Sequence, residues 1–409
     1  MAVQNKLKII NDPIYGFITI PSDLLFEILQ HSYFQRLRRI TQMGLSYLVY
    51  PGAHHTRFHH ALGAMFLMQR ALQVLKFKGI AISKAEEEAL YLAIMLHDIG
   101  HGPFSHAMEH SIVEGVSHER ISLMFMSHLN REFNNKLDLA MTIFKDEYPR
   151  KFLHQLVSGQ LDMDRLDYLR RDSFYTGVAE GNINSQRLIA MLNVKDDALV
   201  VEEKGIYSVE KFIVARRLMY WQVYLHKTSL VAENLLMKLF QRAKQLFREG
   251  KNLPCSPQLR YFLKGSVGVD DFSSEVLLKF SKLDDYDIIS ALKLWVDEAD
   301  FVISRLSAMI LDRDLLKIKI KKNPFAPEKV EQKLQKVMQK HNLSEEEASY
   351  FVFTGEISNQ AYHMDKDNIN LIRKNGKVID VAKASDQFNL EALSNEVIKY
   401  YLCYPKKSH

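Results

Sequence analysis

The chain has 409 residues, of which 47% are hydrophobic and 25% are charged, and its formal net charge is +5. This composition is that of a globular protein with enough core for two or three lobes, and it excludes a disordered or fibrous chain. Only two cysteines occur, Cys255 and Cys403, which excludes a disulfide framework and a cysteine-based zinc site. The mild positive charge permits an anionic ligand, but a nucleic-acid partner is not expected from it.

In chain order, the sequence opens with two short extended pieces on either side of a turn, at residues 9–21. Apolar residues then recur at three- and four-residue spacing over about residues 22–245, which predicts a mainly helical region. Within it, residues 199–207 have the pattern of a small hairpin with Gly205 near its turn. After a break that contains two prolines, further helices are predicted over about residues 274–311.

The last hundred residues have a different pattern. Residues 316–321 alternate apolar and basic side chains, which is typical of a half-buried strand with a solvated lysine face. Residues 327–341 are a candidate amphipathic helix, and Asn375-Gly376 is a strong signal for a two-residue hairpin turn. These elements predict a small α+β lobe at the C-terminal end.

The expected fold is therefore mainly α, in two lobes. A helical catalytic lobe spans residues 1–311, with its core at about residues 50–240, and the small α+β lobe spans residues 312–409. No stretch of about 18 uncharged apolar residues occurs, so a membrane span is not expected. The first residues lack the apolar core of a signal peptide, which makes a cytoplasmic protein the expectation.

Histidine is concentrated in one part of the chain. Nine of the 16 histidines lie between His54 and His118. The most informative feature is the pair His97-Asp98 at the end of an apolar helix, with His101 close behind it. A lone histidine on an apolar helix is usually a hydrogen-bonded core residue. The histidines interpreted as such background are His54, His55, His59 and His110.

Four side chains from three segments predict a metal centre: His60, His97, Asp98 and Asp164. Two imidazole nitrogens with two carboxylate oxygens suit a divalent ion such as manganese, iron, zinc, nickel or magnesium. The set leaves positions open for water and a phosphate oxygen, so that the ion would polarise a phosphoryl group and lower the pKa of bound water. The leading interpretation is a metal-dependent phosphohydrolase.

Asp164, Tyr168 and Asp172 follow one another at four-residue spacing, so they share one helix face. A solvated acidic helix is the alternative interpretation. The apolar neighbours Leu166 and Leu169 favour a partly buried helix, whose charges are more informative.

A second stripe combines two cations with two aromatic rings, and its members are Arg216, Tyr220, Tyr224 and Lys227. On one continuous helix this stripe would suit an anion that carries a flat base. Tyrosines that pack inward beside ordinary surface cations are the alternative, and both interpretations stay open at this point.

Several motifs follow one another between about Lys8 and Asn234. They are Asn-Asp-Pro-Ile-x-Gly, Phe-Gln-Arg-Leu-Arg, Tyr-Pro-Gly-Ala, Arg-Phe-x-His-x-Leu-Gly, His-Asp-Ile-Gly-His-Gly-Pro-Phe-Ser-His and Asp-x-Asp-Arg-x-Asp-Tyr. In this order they resemble the HD-domain deoxynucleoside triphosphate (dNTP) triphosphohydrolases, in the branch that contains the vertebrate SAM- and HD-domain dNTPase. After about residue 240 only the general layout is similar. The resemblance implies hydrolysis between the α-phosphate and the 5′ oxygen, which gives a deoxynucleoside and inorganic triphosphate.

The resemblance also implies roles for single residues, and the four metal ligands named above match its metal positions. The residues that match its catalytic positions are His101, His106, His118 and Glu119. The residues that match its substrate-binding positions are Gln42, Arg57, Arg165, Tyr168, Asp172, Arg216 and Tyr224. The residues that match a regulatory nucleotide site are Lys8, Asn11, Arg38 and Lys227. The implied partners are dNTPs and further copies of the chain, as a dimer or tetramer.

Within this scheme His106 protonates or steadies the leaving 5′ oxygen, while His101 and His118 contact the α-phosphate. Imidazole suits such proton transfer near neutral pH. Gln42 and Asp172 read the sugar 3′-hydroxyl, which predicts turnover of deoxynucleotides in preference to ribonucleotides.

The chain departs from the family pattern at three positions. His59 replaces a glutamate, and Arg165 stands where the vertebrate enzyme has a lysine. Gln30 stands where that enzyme has an aspartate that recognises an activating guanine nucleotide, so the regulatory site lacks this carboxylate. No SAM domain is expected ahead of the HD region, which starts almost at residue 1.

Two alternative functions stay open. HD sites hydrolyse many phosphate esters, so the substrate could be another nucleotide. A nucleotide-sensing or nucleic-acid-binding protein with little catalysis would use the basic run at residues 317–322. A lysine-faced edge strand explains that run more simply.

Overall fold

The computed structural model describes residues 8–104, 111–113, 115–265, 267–268, 271–360, 362, 368–386 and 395–406. The α-helices of these residues are α1 (Asp23–Gln30), α2 (Ser32–Gln35), α3 (Arg57–Phe77), α4 (Lys84–Leu96), α5 (His118–Glu132), α6 (Asp138–Phe144), α7 (Lys151–Val157), α8 (Met163–Thr176), α9 (Ser185–Met191), α10 (Ile206–Met219), α11 (Lys227–Arg248), α12 (Pro257–Lys264), α13 (Ser274–Phe280), α14 (Asp285–Trp295), α15 (Phe301–Leu311), α16 (Pro327–His341), α17 (Glu345–Ser349) and α18 (Val381–Ala384). The strands are β1 (Ile9–Asp12), β2 (Gly16–Thr19), β3 (Leu192–Lys195), β4 (Ala198–Glu202), β5 (Lys317–Lys321), β6 (Phe353–Asn359), β7 (Asn370–Ile372), β8 (Val378–Asp380) and β9 (Val397–Tyr404). The chain is thus mainly α with a small sheet-containing C-terminal region, as the sequence predicts.

The helix α3 is the centre of the helical region. It packs against α4 on one side and α8 on the other, and most of its side chains are buried. Its start is held by a capping box, in which the His59 side chain accepts from the Thr56 backbone N–H at 3.2 Å. Ser83 and Glu86 form the same motif at the start of α4. Such local caps explain why these helices begin where they do.

The nine described strands form three small sheets. The first is the hairpin β1-β2, the second has the order β3-β4-β7-β8, and the third has the order β5-β9-β6. In the second sheet β4 pairs with β7 in parallel, with Val201 opposite Leu371, so a strand from the C-terminal region joins a hairpin of the helical region. The lobe boundary at residue 312 stays a prediction.

Several sequence predictions of local structure are confirmed. The extended pieces near the N-terminus are β1 and β2, the alternating run is β5, and the amphipathic segment is α16. The Asn375-Gly376 turn joins β7 and β8, which pair antiparallel. No helix in the described part of the chain is long and apolar enough to cross a membrane.

Two local predictions are wrong. The hairpin is formed by β3 and β4, and its turn is Asp196-Asp197, at φ 51° and 55°, rather than a turn near Gly205. Aspartate tolerates this left-handed backbone because its short side chain is polar. The second error concerns the stripe from Arg216 to Lys227. It does not lie on one helix, because α10 ends at Met219, a π-helical turn follows at Tyr220–Tyr224, and α11 begins at Lys227.

Candidate active site

The four predicted metal ligands come from three helices that pack together. His60 lies in the first turn of α3, His97 caps the end of α4 with Asp98 directly after it, and Asp164 lies in the first turn of α8. Because α3 contacts both α4 and α8, the ends of these helices meet at one place.

The ligand atoms lie close together. His60 Nε2 is 3.1 Å from Asp164 Oδ1 and 3.9 Å from Asp98 Oδ2. His97 Nε2 is 3.3 Å from Asp98 Oδ1 and 3.5 Å from Asp164 Oδ1. Ligand atoms that surround one ion at bond lengths of roughly 2.0–2.2 Å lie about 3–3.5 Å apart. His60, His97 and Asp164 form one such group, while Asp98 borders it and groups with His101 and His118. The four-residue ligand set stays a prediction.

Both imidazoles are oriented by a contact at their other nitrogen. His60 Nδ1 donates to Asp167 Oδ2 at 2.8 Å, and His97 Nδ1 donates to the Ile94 carbonyl at 2.7 Å. Burial lowers the pKa of His60, but Asp164 and Asp167 outweigh burial and raise this pKa to about 10. A bound cation would displace the proton at Nε2, while the proton at Nδ1 stays with Asp167 and keeps the ring oriented. Within the described residues, neither Nε2 atom has a well-directed hydrogen bond, although both are buried.

His60 is linked through Asp167 to a series of buried charged side chains. Arg171 donates to Asp167 through Nε at 2.8 Å and Nη2 at 3.0 Å, and through Nη1 to Asp12 Oδ2 at 2.8 Å. Gly63 makes room for this chain, since a Cβ there would lie 2.0 Å from Asp167 Oδ1. The contact between α3 and α8 therefore sets the orientation of a predicted metal ligand.

Both carboxylates of the group are ionised near neutral pH. Burial raises the pKa of Asp164, but the contacts with His60 and His97 outweigh burial and hold the pKa well below its usual range. Burial likewise opposes the charge of Asp98, and His97, His101 and Arg57 together lower its pKa. Arg57 Nη1 donates to Asp98 Oδ2 at 2.5 Å.

This donor set fits a divalent ion. His60 and His97 offer two buried imidazole nitrogens beside the Asp164 carboxylate, and Asp98 adds a second carboxylate at the edge of this group. Mixed nitrogen and oxygen ligands of this kind suit manganese, iron, zinc or nickel. When bound, the ion would polarise a phosphate oxygen and lower the pKa of water.

The predicted catalytic histidines flank Asp98. His101 Nε2 lies 3.4 Å from Asp98 Oδ1, and the rings of His101 and His118 stack at 3.8 Å between centroids. Glu119 Oε1 lies 3.6 Å from His118 Nε2. His106, the predicted proton donor, lies outside the described residues.

The turn that carries His101 is tightly held. Arg36 is fully buried and donates to the backbone carbonyls of Ile99, His101 and Leu283. Gly100 lets the turn approach α5, since a Cβ there would lie 2.2 Å from the His118 carbonyl oxygen. These contacts keep the two imidazoles side by side.

The predicted sugar-reading residues form a second cluster along α8. Asp172 Oδ1 lies 2.7 Å from His55 Nε2, and Asp172 Oδ2 accepts from the Tyr224 hydroxyl at 2.7 Å. Burial, followed by the Asp172 charge, raises the pKa of Tyr224, so this hydroxyl keeps its proton and can donate. The Tyr168 and Tyr224 rings meet edge to face at 6.0 Å. Gln42 joins the cluster through its backbone N–H, which donates to the His55 carbonyl at 2.9 Å.

The predicted phosphate-binding cations are placed near the same helix. Arg165 pairs with the buried Asp162 at the start of α8. Arg216 is buried on α10. Burial raises the pKa of the Tyr168 hydroxyl, and the nearby charges of Arg165 and Arg216 partly oppose this rise. Arg57 contacts Asp98, as described above. The three cations therefore come from three helices, with Arg165 on α8, Arg57 on α3 and Arg216 on α10.

The predicted regulatory residues lie on separate surface elements. Lys8 pairs with Asp23 at 2.6 Å, and Arg38 stacks over Phe58 at 3.6 Å. Asn11 and Lys227 are exposed, on β1 and at the start of α11. The regulatory nucleotide site stays a prediction.

Sequence reasoning missed several residues of the site. His55 was interpreted as background, and nothing in the sequence signals its contact with Asp172, 117 positions away. Asp167 carried a signal, because it follows Asp164 by three residues in the same motif and precedes Arg171 by four. Arg36 lies in the Phe-Gln-Arg-Leu-Arg motif, but nothing in the sequence indicates its contact with the turn that carries His101.

Comparison with known proteins defines the class. The HD domain pattern matches residues 57–169, and the HD associated region matches residues 183–252. A crystal structure of a phosphohydrolase from Bacteroides thetaiotaomicron has a TM-score of 0.95 and 52% identity, and the match covers 98% of this chain and 100% of that one. The fold and the site are therefore those of an HD-domain phosphohydrolase.

Relatives narrow the class further. The chain is 31% identical to the uncharacterised protein YwfO of Bacillus subtilis, over 92% of this chain and 88% of that protein. It is 30% identical to the deoxynucleoside triphosphate triphosphohydrolase SAMHD1 homolog of Dictyostelium discoideum, over 60% of this chain and 51% of that protein. The chain thus spans about half the length of that relative. It belongs to the HD-domain phosphohydrolase family, in the branch similar to SAMHD1.

Proposed function

We propose that this phosphohydrolase is a dNTP triphosphohydrolase, which releases a deoxynucleoside and intact inorganic triphosphate. One observation carries the proposal. The face of α8 presents Asp164 at the metal group, then Tyr168, then Asp172, each about 6 Å further along the helix axis. A phosphate at the metal group would therefore place a sugar beside Tyr168 and its hydroxyl edge beside Asp172.

The contacts of Asp172 support a sugar-reading role. Each carboxylate oxygen already has one partner, His55 or Tyr224, and keeps a second lone pair for a ligand hydroxyl. A carboxylate held on both sides is oriented before substrate arrives, which reduces the entropy lost on binding. This is the arrangement expected where a 3′-hydroxyl is recognised.

The chain's own residues divide the work of hydrolysis between them. Arg57, Arg165 and Arg216 would neutralise the triphosphate, and His101 and His118 would hold the α-phosphate. In the reaction water adds to the α-phosphorus, the bond from that phosphorus to the 5′ oxygen breaks, and the 5′ oxygen gains a proton. His106 is the proposed donor of that proton.

The names of two relatives agree with a dNTP as the substrate. The Dictyostelium protein and its chicken counterpart, which is 28% identical, are both called deoxynucleoside triphosphate triphosphohydrolases. Assembly into a dimer or tetramer, control by a bound nucleotide and a cytoplasmic location belong to the same proposal. The native ion and the preferred base stay open.

Product analysis tests the proposal. The metal-reconstituted chain is incubated with each dNTP and each ribonucleoside triphosphate, singly and then mixed, and the products are separated by ion-exchange chromatography. We expect deoxynucleoside and intact triphosphate from dNTPs, with ribonucleotides turned over poorly. Activity in mixtures alone would show that a regulatory nucleotide is needed. Nucleoside mono- or diphosphate as product, or equal use of ribonucleotides, would contradict the proposal and favour another nucleotide substrate for the HD site.

A further inference from the structure

A cleft of about 750 Å³ lies in the C-terminal region, and its lining residues do not include any of the candidate active site. Five lysines line it, namely Lys317, Lys333, Lys336, Lys340 and Lys406. His341 and Tyr404 complete its polar wall, and none of the described lining residues is acidic. We call this feature the basic cleft.

Three segments bring these lysines together. Lys333, Lys336 and Lys340 lie on one stripe of α16, while Leu334 and Val337 between them are buried. Lys317 begins β5, and it pairs across the sheet with Tyr404 at the end of β9. The cleft is therefore formed by tertiary packing and not by the lysine run of β5 alone.

The positive charge of the basic cleft is weakly compensated. Between Lys317 and Lys340 the sequence has eight lysines and two glutamates. Within the described chain, Lys317, Lys333 and Lys336 have no carboxylate within 4.0 Å, whereas Lys406 lies 3.5 Å from Asp314.

The pKa of His341 is affected by the positive charges around it. Burial lowers the pKa of its imidazole, and the nearby charges of Lys340 and Arg305 lower it further. Lysines on a flat solvated surface would repel one another little, because water screens them. Like charges that converge on a concave surface are better explained by a ligand of opposite charge.

We propose that the basic cleft binds the phosphate chain of a small polyphosphate anion, either inorganic tripolyphosphate or a nucleoside triphosphate. The volume is in the range of sites for ligands of nucleotide size. Lysine ammonium groups are rotatable point charges that suit several phosphates in a row. This proposal is independent of the substrate of the HD site.

The aromatic content favours a small polyphosphate over single-stranded nucleic acid. Strand-binding grooves interleave cations with open aromatic faces on which successive bases stack. In the basic cleft the Tyr404 ring is already covered by Lys333, whose Nζ lies 4.3 Å from the ring centroid. The cleft thus offers charge without an open stacking surface.

Titration calorimetry with inorganic tripolyphosphate on the full chain, in the presence of a metal chelator, tests the proposal. The cleft variant combines Lys333→Gln with Lys336→Gln. The matched control combines Lys319→Gln with Lys321→Gln, which removes the same charge from exposed positions of β5 outside the cleft. We expect about tenfold weaker binding in the cleft variant, little change in the control, and unchanged HD-site turnover in both.

Lysine acetylation followed by mass spectrometry locates the bound anion. Tripolyphosphate should protect Lys333 and Lys336 and leave Lys319 unprotected. Equal weakening in the cleft variant and the control, or the absence of protection, would overturn the proposal. Complete loss of binding in His97→Ala would assign the anion to the HD site instead. A single-stranded oligonucleotide that binds the cleft more tightly than tripolyphosphate would overturn the ligand class.

Discussion

The candidate active site and the basic cleft hold their charges in opposite ways. In the active site buried charges are paired in series, as in the chain from His60 through Asp167 and Arg171 to Asp12. In the basic cleft like charges converge at the surface with few carboxylates near them. The paired groups of the active site hold side-chain atoms in fixed positions, whereas the lysines of the basic cleft create a positive electrostatic potential.

This difference predicts different sensitivities. Buried, paired groups respond to the loss of a single atom, because the partner left behind stays desolvated and unpaired. Binding by exposed lysines responds mainly to ionic strength, since salt screens their charges and water can solvate a lysine that loses its ligand. Added salt should therefore weaken binding at the basic cleft more than it weakens metal binding at the active site.

The largest expected effect is that of Asp98→Asn on the metal group. The variant removes an ionised ligand that faces His97 and His101, so turnover should fall by about a thousandfold or more and the bound metal should be lost. Metal content by mass spectrometry, turnover, and circular dichroism for the fold are the measurements. Asp196→Asn in the β3–β4 turn is the matched control. Full activity of Asp98→Asn would contradict the metal assignment.

Asp167→Asn is expected to have the next largest effect. Asp167 is not a proposed ligand of the ion, but its two oxygens accept from His60 and Arg171. The variant removes the negative charge and replaces one acceptor oxygen with an amide donor, which weakens the hold on the His60 Nδ1 proton, so metal affinity should fall by about a hundredfold. Competition with a chelator measures the affinity, and nitrogen NMR of His60 reports its tautomer. An unchanged tautomer and affinity would show that α3 alone orients the ring, which would weaken the contrast drawn above.

Glu233 on α11 is a partly buried carboxylate, and desolvation raises the pKa of its carboxyl to about 7. A raised folded-state pKa means that the native state holds the proton more tightly, so this contribution to stability is complete below about pH 4.5 and is lost as pH rises to about 7. Glu233→Gln should be about 3 kcal/mol more stable than the parent at pH 8 and equal to it at pH 4.

Urea unfolding at the two pH values measures this effect. The difference between the chains should shrink steadily between pH 8 and pH 4. Parallel stability profiles for Glu233→Gln and the parent would show that the carboxyl is solvated in the native state.

The smallest expected effect is that of Tyr224→Phe, and it rests on the proposed function. Loss of the hydroxyl that donates to Asp172 should lower kcat/KM for dNTPs by about tenfold and relax discrimination against ribonucleotides. Steady-state kinetics with paired deoxy- and ribonucleotides measure both. Tyr220→Phe keeps the aromatic packing against Tyr224 and is the matched control. Equal effects of the two variants would remove the assigned role of Asp172.

Local pattern was sufficient for much of the fold and for naming candidate metal ligands. Apolar periodicity predicted the mainly helical region that contains α3 and α4, and Asn375-Gly376 predicted its hairpin, because these signals act within a few residues. The metal ligands could be named because each lies in a dense motif whose residue types make poor core. The spacing of Asp164, Tyr168 and Asp172 was equally local and gave their common face.

Local pattern failed where one residue changes the geometry. The sequence between Arg216 and Lys227 keeps helical spacing, yet a π-helical turn at Tyr220–Tyr224 interrupts it. The hairpin turn at Asp196-Asp197 was missed because aspartates in left-handed conformations resemble ordinary polar residues in a sequence. Small shifts of this kind are decided by the packing of the surrounding elements.

The sequence by itself determined the class of chemistry and most helices, and it named candidate metal ligands, because these depend on residue type and short spacing. The tertiary structure decided which partners orient those residues: His55 at Asp172, Asp12 at Arg171, and Arg36 at the His101 turn. It also decided that lysines of α16, β5 and the end of β9 form one cleft. Contacts between segments far apart in the chain leave no periodic trace in the sequence, since they arise only when helices and strands pack.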